Sequence, residues 1–133
     1  MSKYKKVFVV DDDKIYHFIL KNLLSKNKID VQPSFYENGF DAMEAFKERI
    51  GQDEIPDLIL LDINMPIMDG WQFLEEFRVL RQQHQLETAV YLVTSSNDSA
   101  DLQKAKFFED EIANYFLKPI DQAAINEIFQ NQD

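Results

Sequence analysis

The sequence predicts an α/β fold, a doubly wound parallel sheet of five strands with five helices. Two observations carry this. Five short apolar runs recur along the chain, and a longer amphipathic stretch follows each of them. Apolar runs without alternation suit strands buried on both faces of a parallel sheet. Strict strand–helix alternation then implies right-handed crossovers, with helices on both sides.

The elements follow in order. The first strand is predicted over residues 7–10 (VFVV), and the helix after it puts Ile15, Phe18, Ile19 and Leu23 on one face. A weaker second strand over 31–36 precedes a helix over 39–50, where Met43, Phe46 and Ile50 fall together. Residues 51–56 read as an exposed loop before the third strand at 58–61 (LILL). The third helix, 71–84, aligns Phe73, Leu74, Phe77 and Leu80. A fourth strand at 90–93 leads to a weak, polar helix over 99–108, whose best stripe is Leu102, Ala105 and Phe108. The fifth strand is read at 115–117, and the last helix, 121–130, carries Ala124, Ile125, Ile128 and Phe129. Asn97 or Asp98 suits the cap of the fourth helix and Asp121 that of the fifth.

At 133 residues the chain has the length of one domain, expected to span 1–133 with no output domain. Lys and Arg number 14 against 24 Asp and Glu, a net charge of −10. That balance argues against a nucleic-acid binder, which needs a basic face, and against an anionic membrane surface. A hydrophobic share of 45% is too high for a disordered chain, and the absence of cysteine excludes disulfides and thiolate chemistry. Residues 1–6 lead into only four apolar residues before acids begin, so no secretory leader is read and a cytoplasmic location is expected.

Ligands of open α/β sheets bind outside the carboxyl ends of the strands, where the strand order reverses. The first run ends in Asp11-Asp12-Asp13, the third in Asp62, the fourth in Thr94-Ser95-Ser96 and the fifth in Lys118-Pro119. Asp11, Asp12 and Asp62 would repel one another unless a cation sat among them, and hard oxygen ligands of this kind suit Mg²⁺. Lys118 and Thr94 offer a positive charge and a hydrogen bond to phosphoryl oxygens. Asp62 would then serve as a carboxylate nucleophile. Any one of these residues has a plain reading as a turn or helix cap. Their joint placement at four strand ends singles them out.

These stretches, above all residues 62–70 (DINMPIMDG), resemble the receiver domain of two-component response regulators, here a stand-alone, chemotaxis-regulator-like one. The resemblance runs the whole chain in order and implies a flavodoxin-like sheet of order 2-1-3-4-5. It implies phosphorylation at Asp62, Mg²⁺ (or Mn²⁺) held by Asp11, Asp12, Asp62 and the backbone carbonyl of Asn64, and catalytic help from Lys118 and Thr94. Thr94 and Tyr115 match the switch pair. The implied donor is a histidine kinase or phosphotransfer protein. The implied output is a protein target at the face of the fourth helix, fifth strand and fifth helix. The resemblance also implies that Asn64 and Ser96 occupy positions that tune dephosphorylation, and that the domain is not an enzyme but a signalling phosphoacceptor catalysing its own phosphorylation and dephosphorylation.

Other residues have plainer readings. His17 and His84 are expected at the surface or an interface, Trp71 in packing, and residues 65–70 as support for the site. Phe107 and Phe108 belong to either the output face or the core. A haloacid-dehalogenase-type phosphohydrolase is disfavoured because Asn64 replaces its general acid. A flavodoxin relative is disfavoured because no glycine- or hydroxyl-rich phosphate loop follows the first strand.

Overall fold

In the computed structural model, which describes residues 4–130, each apolar run has become a parallel strand. The strands are β1 Lys6–Val10, β2 Gln32–Tyr36, β3 Leu58–Leu61, β4 Ala89–Thr94 and β5 Ile112–Leu117. Their order is β2-β1-β3-β4-β5, and every pairing is parallel. The helices are α1 Lys14–Lys26, α2 Gly39–Gly51, α3 Gly70–His84, α4 Ser99–Phe107 and α5 Gln122–Ile125. The last helix continues as a π-helical turn, Asn126–Gln130, in place of the single α-helix expected there. Residues 1–3 and 131–133 lie outside the described residues.

Every helix starts on an Asp or Asn whose side-chain oxygen accepts a backbone N–H of the first turn: Asp13, Asn38, Asp69, Asp98 and Asp121. Such caps satisfy donors that the helix itself leaves unpaired, each contributing about 1 kcal/mol. Asp69 forms a full capping box with Gln72.

Successive strand residues point to opposite faces, so the sheet divides the core in two. Phe8, Val10, Ile59, Leu61, Val90 and Leu92 pack against α2 and α3 through Met43, Phe46, Phe73 and Phe77. Val7, Val9, Leu58, Leu60 and Val93 pack against α1 and α5 through Leu20, Leu24, Ile125 and Phe129. The central strand β3 is buried throughout, whereas the edge strands β2 and β5 are only partly covered. Burial on both faces therefore holds for the middle of the sheet and not for its rims, where no further strand adds cover.

Two expectations are corrected. The buried side of α1 is Tyr16, His17, Leu20 and Leu24, while Ile15, Phe18 and Ile19 are exposed. Two apolar stripes one residue apart compete on this helix. The Asp13 cap, tied by its own N–H to Asp11, sets the rotation that turns Tyr16 and Leu20 inward. The same rotation buries His17 against the Phe35 ring, so it is not a surface residue, and desolvation holds its pKa below the usual value. His84 is exposed.

Helix α4 fully buries none of its own residues and rests on the core through partly buried Ala105. Phe108, one residue past it, stacks on Trp71, and Phe107 stays exposed. Just beyond, buried Glu111 accepts hydrogen bonds from Arg78 and Arg81 of α3, and the Arg78 guanidinium lies over both Phe107 and Phe108. This cluster fastens the α4–β5 turn to α3.

Candidate functional site

The site is built where the strands stop. The N–H of Asp11 donates to the Tyr36 carbonyl and that of Asp62 to the Val10 carbonyl, both at 2.9 Å, so each carboxylate extends the sheet by one residue. The backbone N–H of Lys118 donates to the Thr94 carbonyl at 2.9 Å, and its peptide bond to Pro119 is cis.

Asp11, Asp12 and Asp62 each offer an oxygen within 4.8 Å of the others. Asp11 and Asp62 are buried and Asp12 is exposed, so the cluster opens to solvent on one side. The Lys118 ammonium stands 2.6 Å from Asp11 Oδ2 and 3.7 Å from Asp62 Oδ2. The other Asp11 oxygen accepts the Asp13 N–H at 2.9 Å, and Asp62 Oδ1 accepts the Ile63 N–H at 2.8 Å.

One ammonium does not balance three carboxylates. Burial pushes the Asp11 carboxyl up to about 6; its hydrogen bond to Lys118 pulls it down and the Asp62 charge raises it again. Asp62 is raised as well, chiefly by burial, against the opposing pull of Lys118 and hydrogen bonds from Ile63 and Thr94. A hard divalent cation fits this donor set, since it would relieve the repulsion while keeping waters on the open side.

Thr94 is wholly buried at the end of β4, and its hydroxyl accepts the Ser96 N–H at 3.3 Å. Tyr115, half-buried on β5, donates its hydroxyl to the Ser96 carbonyl. The Ser96 hydroxyl donates to Asp101 of α4, whose other oxygen accepts the Trp71 indole N–H at 3.3 Å. The loop after β4 is thus tied to α3, α4 and β5 together. Asn64 is exposed, two residues past Asp62.

The loop from Asn64 to Asp69 is shaped by two glycines. A Cβ on Gly70 would lie 2.4 Å from the Asp62 carbonyl oxygen, and one on Gly39 2.6 Å from that of Met68. Ile67 sits between them at φ 69°, a left-handed conformation that costs a β-branched residue about 1–3 kcal/mol. The Gly70 N–H closes the loop onto the Ile63 carbonyl at 2.8 Å.

The structure brings together Asp11, Asp12, Asp62 and Lys118, with Thr94 buried at the neighbouring strand end. Sequence reasoning missed two neighbours. Tyr16 lies with its ring centroid 4.6 Å from the Lys118 ammonium, and Asp101 is the bridge between Ser96 and Trp71. Choosing the other stripe of α1 would have found Tyr16. Asp101 carries no sequence signal.

Comparison with known proteins agrees with this geometry. Residues 7–130 match the response regulator receiver domain family. The chain is 34% identical over 124 residues to the autoinducer 2 sensor kinase/phosphatase LuxQ of Vibrio parahaemolyticus, covering 93% of this chain and 13% of that protein. It is 36% identical over 78 residues to the chemotaxis protein CheY of Bacillus subtilis, covering 59% of this chain and 60% of that one. Among solved structures, a two component response regulator from Cytophaga hutchinsonii superposes with a TM-score of 0.81 at 28% identity, covering 95% and 94% of the two chains. The Mn²⁺-bound form of response regulator Rcp1 gives 0.77 at 25% identity over 97% of each. The chain spans 7%, 13% and 7% of the first three curated relatives it matches, all of them far longer proteins. From its sheet order, its strand-end carboxylates and the match along residues 7–130, the chain belongs to the response regulator receiver domain family of two-component signalling.

Proposed function

We propose that Asp62 accepts a phosphoryl group, with a divalent cation at Asp11, Asp12, Asp62 and the Asn64 backbone carbonyl, and that the modification switches a protein-binding face. The observation that supports this best is the 4.8 Å carboxylate cluster with one ammonium reaching into it. A buried carboxylate beside a fixed positive charge is a nucleophile whose product, an acyl phosphate, that charge can stabilise.

An Asp62 oxygen attacks phosphorus, the P–N bond of a phosphohistidine on a kinase or phosphotransfer protein breaks, and the imidazole leaves with the bonding electrons. Mg²⁺ or Mn²⁺, when bound, supplies Lewis-acid stabilisation to phosphoryl oxygens; the Mn²⁺-bound form of the relative Rcp1 is in keeping with such an ion. Lys118 leaves Asp11 for the new anion, which carries about −1.5 to −2 charges. The Thr94 hydroxyl exchanges the Ser96 N–H for a phosphoryl oxygen, and Tyr115 follows as the Ser96 carbonyl moves. Loss of the phosphoryl group to water returns the domain to its starting state, with Asn64 and Ser96 setting access.

The output face in this reading is α4, β5 and α5, where Leu102, Phe107 and Leu117 are exposed. The partner is a protein rather than nucleic acid, in keeping with the net charge of −10. Among the described residues no helix is long and apolar enough to cross a membrane, and the proposed place of action is the cytoplasm.

Incubation with a small phosphodonor and Mg²⁺, read by intact mass, should add one phosphoryl group that Asp62→Asn abolishes. Failure of the wild type to label, beside a control receiver that does, refutes the reading.

A further inference from the structure

We propose that Tyr16 is a positioning residue for Lys118, its ring face holding the ammonium against the Asp11–Asp62 pair so that Lys118 stays available to oxygens at Asp62. The kinetic consequence rests on the phosphoacceptor reading; the positioning itself does not.

Lysine is a flexible stem with a strongly hydrated head, and the default for such a side chain beside an opening is to turn outward. An outlet exists here. A groove of about 350 Å³ is lined by Lys118 together with Asp13, Ile15, Tyr16, Ile19 and Ile120. Yet the Lys118 side chain is only 17% exposed, with carboxylates at 2.6 and 3.7 Å and the Tyr16 ring centroid at 4.6 Å. An aromatic face attracts a cation through its quadrupole without accepting a conventional hydrogen bond. It therefore holds the ammonium while leaving its N–H donors to oxygens, which an acidic side chain in the same place would not do.

The ring is itself fixed. Tyr16 is 6% exposed and packs with Leu20, Ile120 and Ile125. Its backbone N–H donates to Asp13, whose own N–H donates to Asp11, so ring and carboxylate are placed by one short link. The Tyr16 hydroxyl is buried and, among the described residues, has no hydrogen-bond partner. The hydroxyl thus supports neither the fold nor the site, and what remains for this residue to contribute is its ring face.

The test compares Tyr16→Phe, which keeps the ring, with Tyr16→Leu, which removes it; Tyr16→Met replaces the latter should Leu fail to fold. The direct readout is the NMR shift of the Lys118 ε-methylene protons, moved upfield by the ring current in wild type and Tyr16→Phe and restored in Tyr16→Leu. With a small phosphodonor and Mg²⁺, Asp62 labelling should slow about three- to tenfold in Tyr16→Leu and stay within about twofold in Tyr16→Phe. An unshifted Lys118 signal in wild type, a Tyr16→Leu protein that labels at the wild-type rate, or a Phe variant as slow as the Leu variant overturns the proposal. Should wild type not label at all, the phosphoacceptor reading falls, and the NMR shift alone decides the role of Tyr16.

Discussion

The Tyr115 hydroxyl donates to the main-chain carbonyl of Ser96 across 2.7 Å, joining the edge strand β5 to the loop that follows Thr94. Tyr115→Phe removes that bond and leaves the carbonyl to water. The expected cost is about 1 kcal/mol in denaturant unfolding, with faster hydrogen exchange in residues 95–98. Unchanged exchange there would mean that the bonds of Ser96 to Asp101 and Thr94 suffice to hold the loop.

Trp71 is the only tryptophan of the chain, and its indole shares the Asp101 carboxylate with Ser96. Movement of the loop toward an anion at Asp62 should disturb that bond. Addition of beryllofluoride and Mg²⁺, which mimics phosphorylation, is expected to change the Trp71 emission, and Asp101→Ala should abolish the response. An emission spectrum indifferent to beryllofluoride, in a sample shown to bind it, contradicts this coupling.

The Asp11 carboxyl is raised from 3.8 to about 6 in the folded state. The folded protein therefore holds a proton that the unfolded chain has released between those values. The stability from this group is complete below about pH 4 and is lost as pH rises through about 6. Without divalent cations, Asp11→Asn should stabilise the protein at pH 7.5 by on the order of 1–2 kcal/mol and have little effect at pH 3.5. Mg²⁺ should raise the wild-type melting temperature more at pH 7.5 than at pH 5. The reverse pH order in thermal melts would show that Asp11 is not the strained group.

Gly70→Ala forces a methyl group to within 2.4 Å of the Asp62 carbonyl oxygen and 2.9 Å of the Ile63 Cα. Backbone cannot yield as a side-chain tip can, so a loss of about 2–3 kcal/mol is expected. Gly51→Ala, with nothing within 4 Å, is the control and should be neutral or better by calorimetry.

Glu111 is buried between Arg78 and Arg81. Glu111→Ala leaves two half-covered guanidinium groups without their acceptor and should cost about 3 kcal/mol. The triple replacement of Glu111, Arg78 and Arg81 by apolar residues should recover part of that loss. A triple variant weaker than Glu111→Ala would show that Arg78 contributes mainly through its stacking on Phe107 and Phe108.

The order of elements and the strand-end residues were legible in the amino-acid sequence. A run such as 58–61, apolar on both faces, admits few placements, and Asp11, Asp62, Thr94 and Lys118 stand where such runs stop. What lay beyond the sequence was rotation and reach. Helix α1 has two apolar stripes one residue apart, and the Asp13 cap and the sheet beneath turned Tyr16 and His17 inward and Ile15, Phe18 and Ile19 outward. The contacts that surround the site join Tyr16 to Lys118, Trp71 to Asp101 and Arg78 to Glu111, pairs separated by 30 or more residues. Local periodicity reflects which face of an element is apolar. Which partner that face meets is decided only when the elements pack, because packing fixes distances that no spacing along the chain encodes.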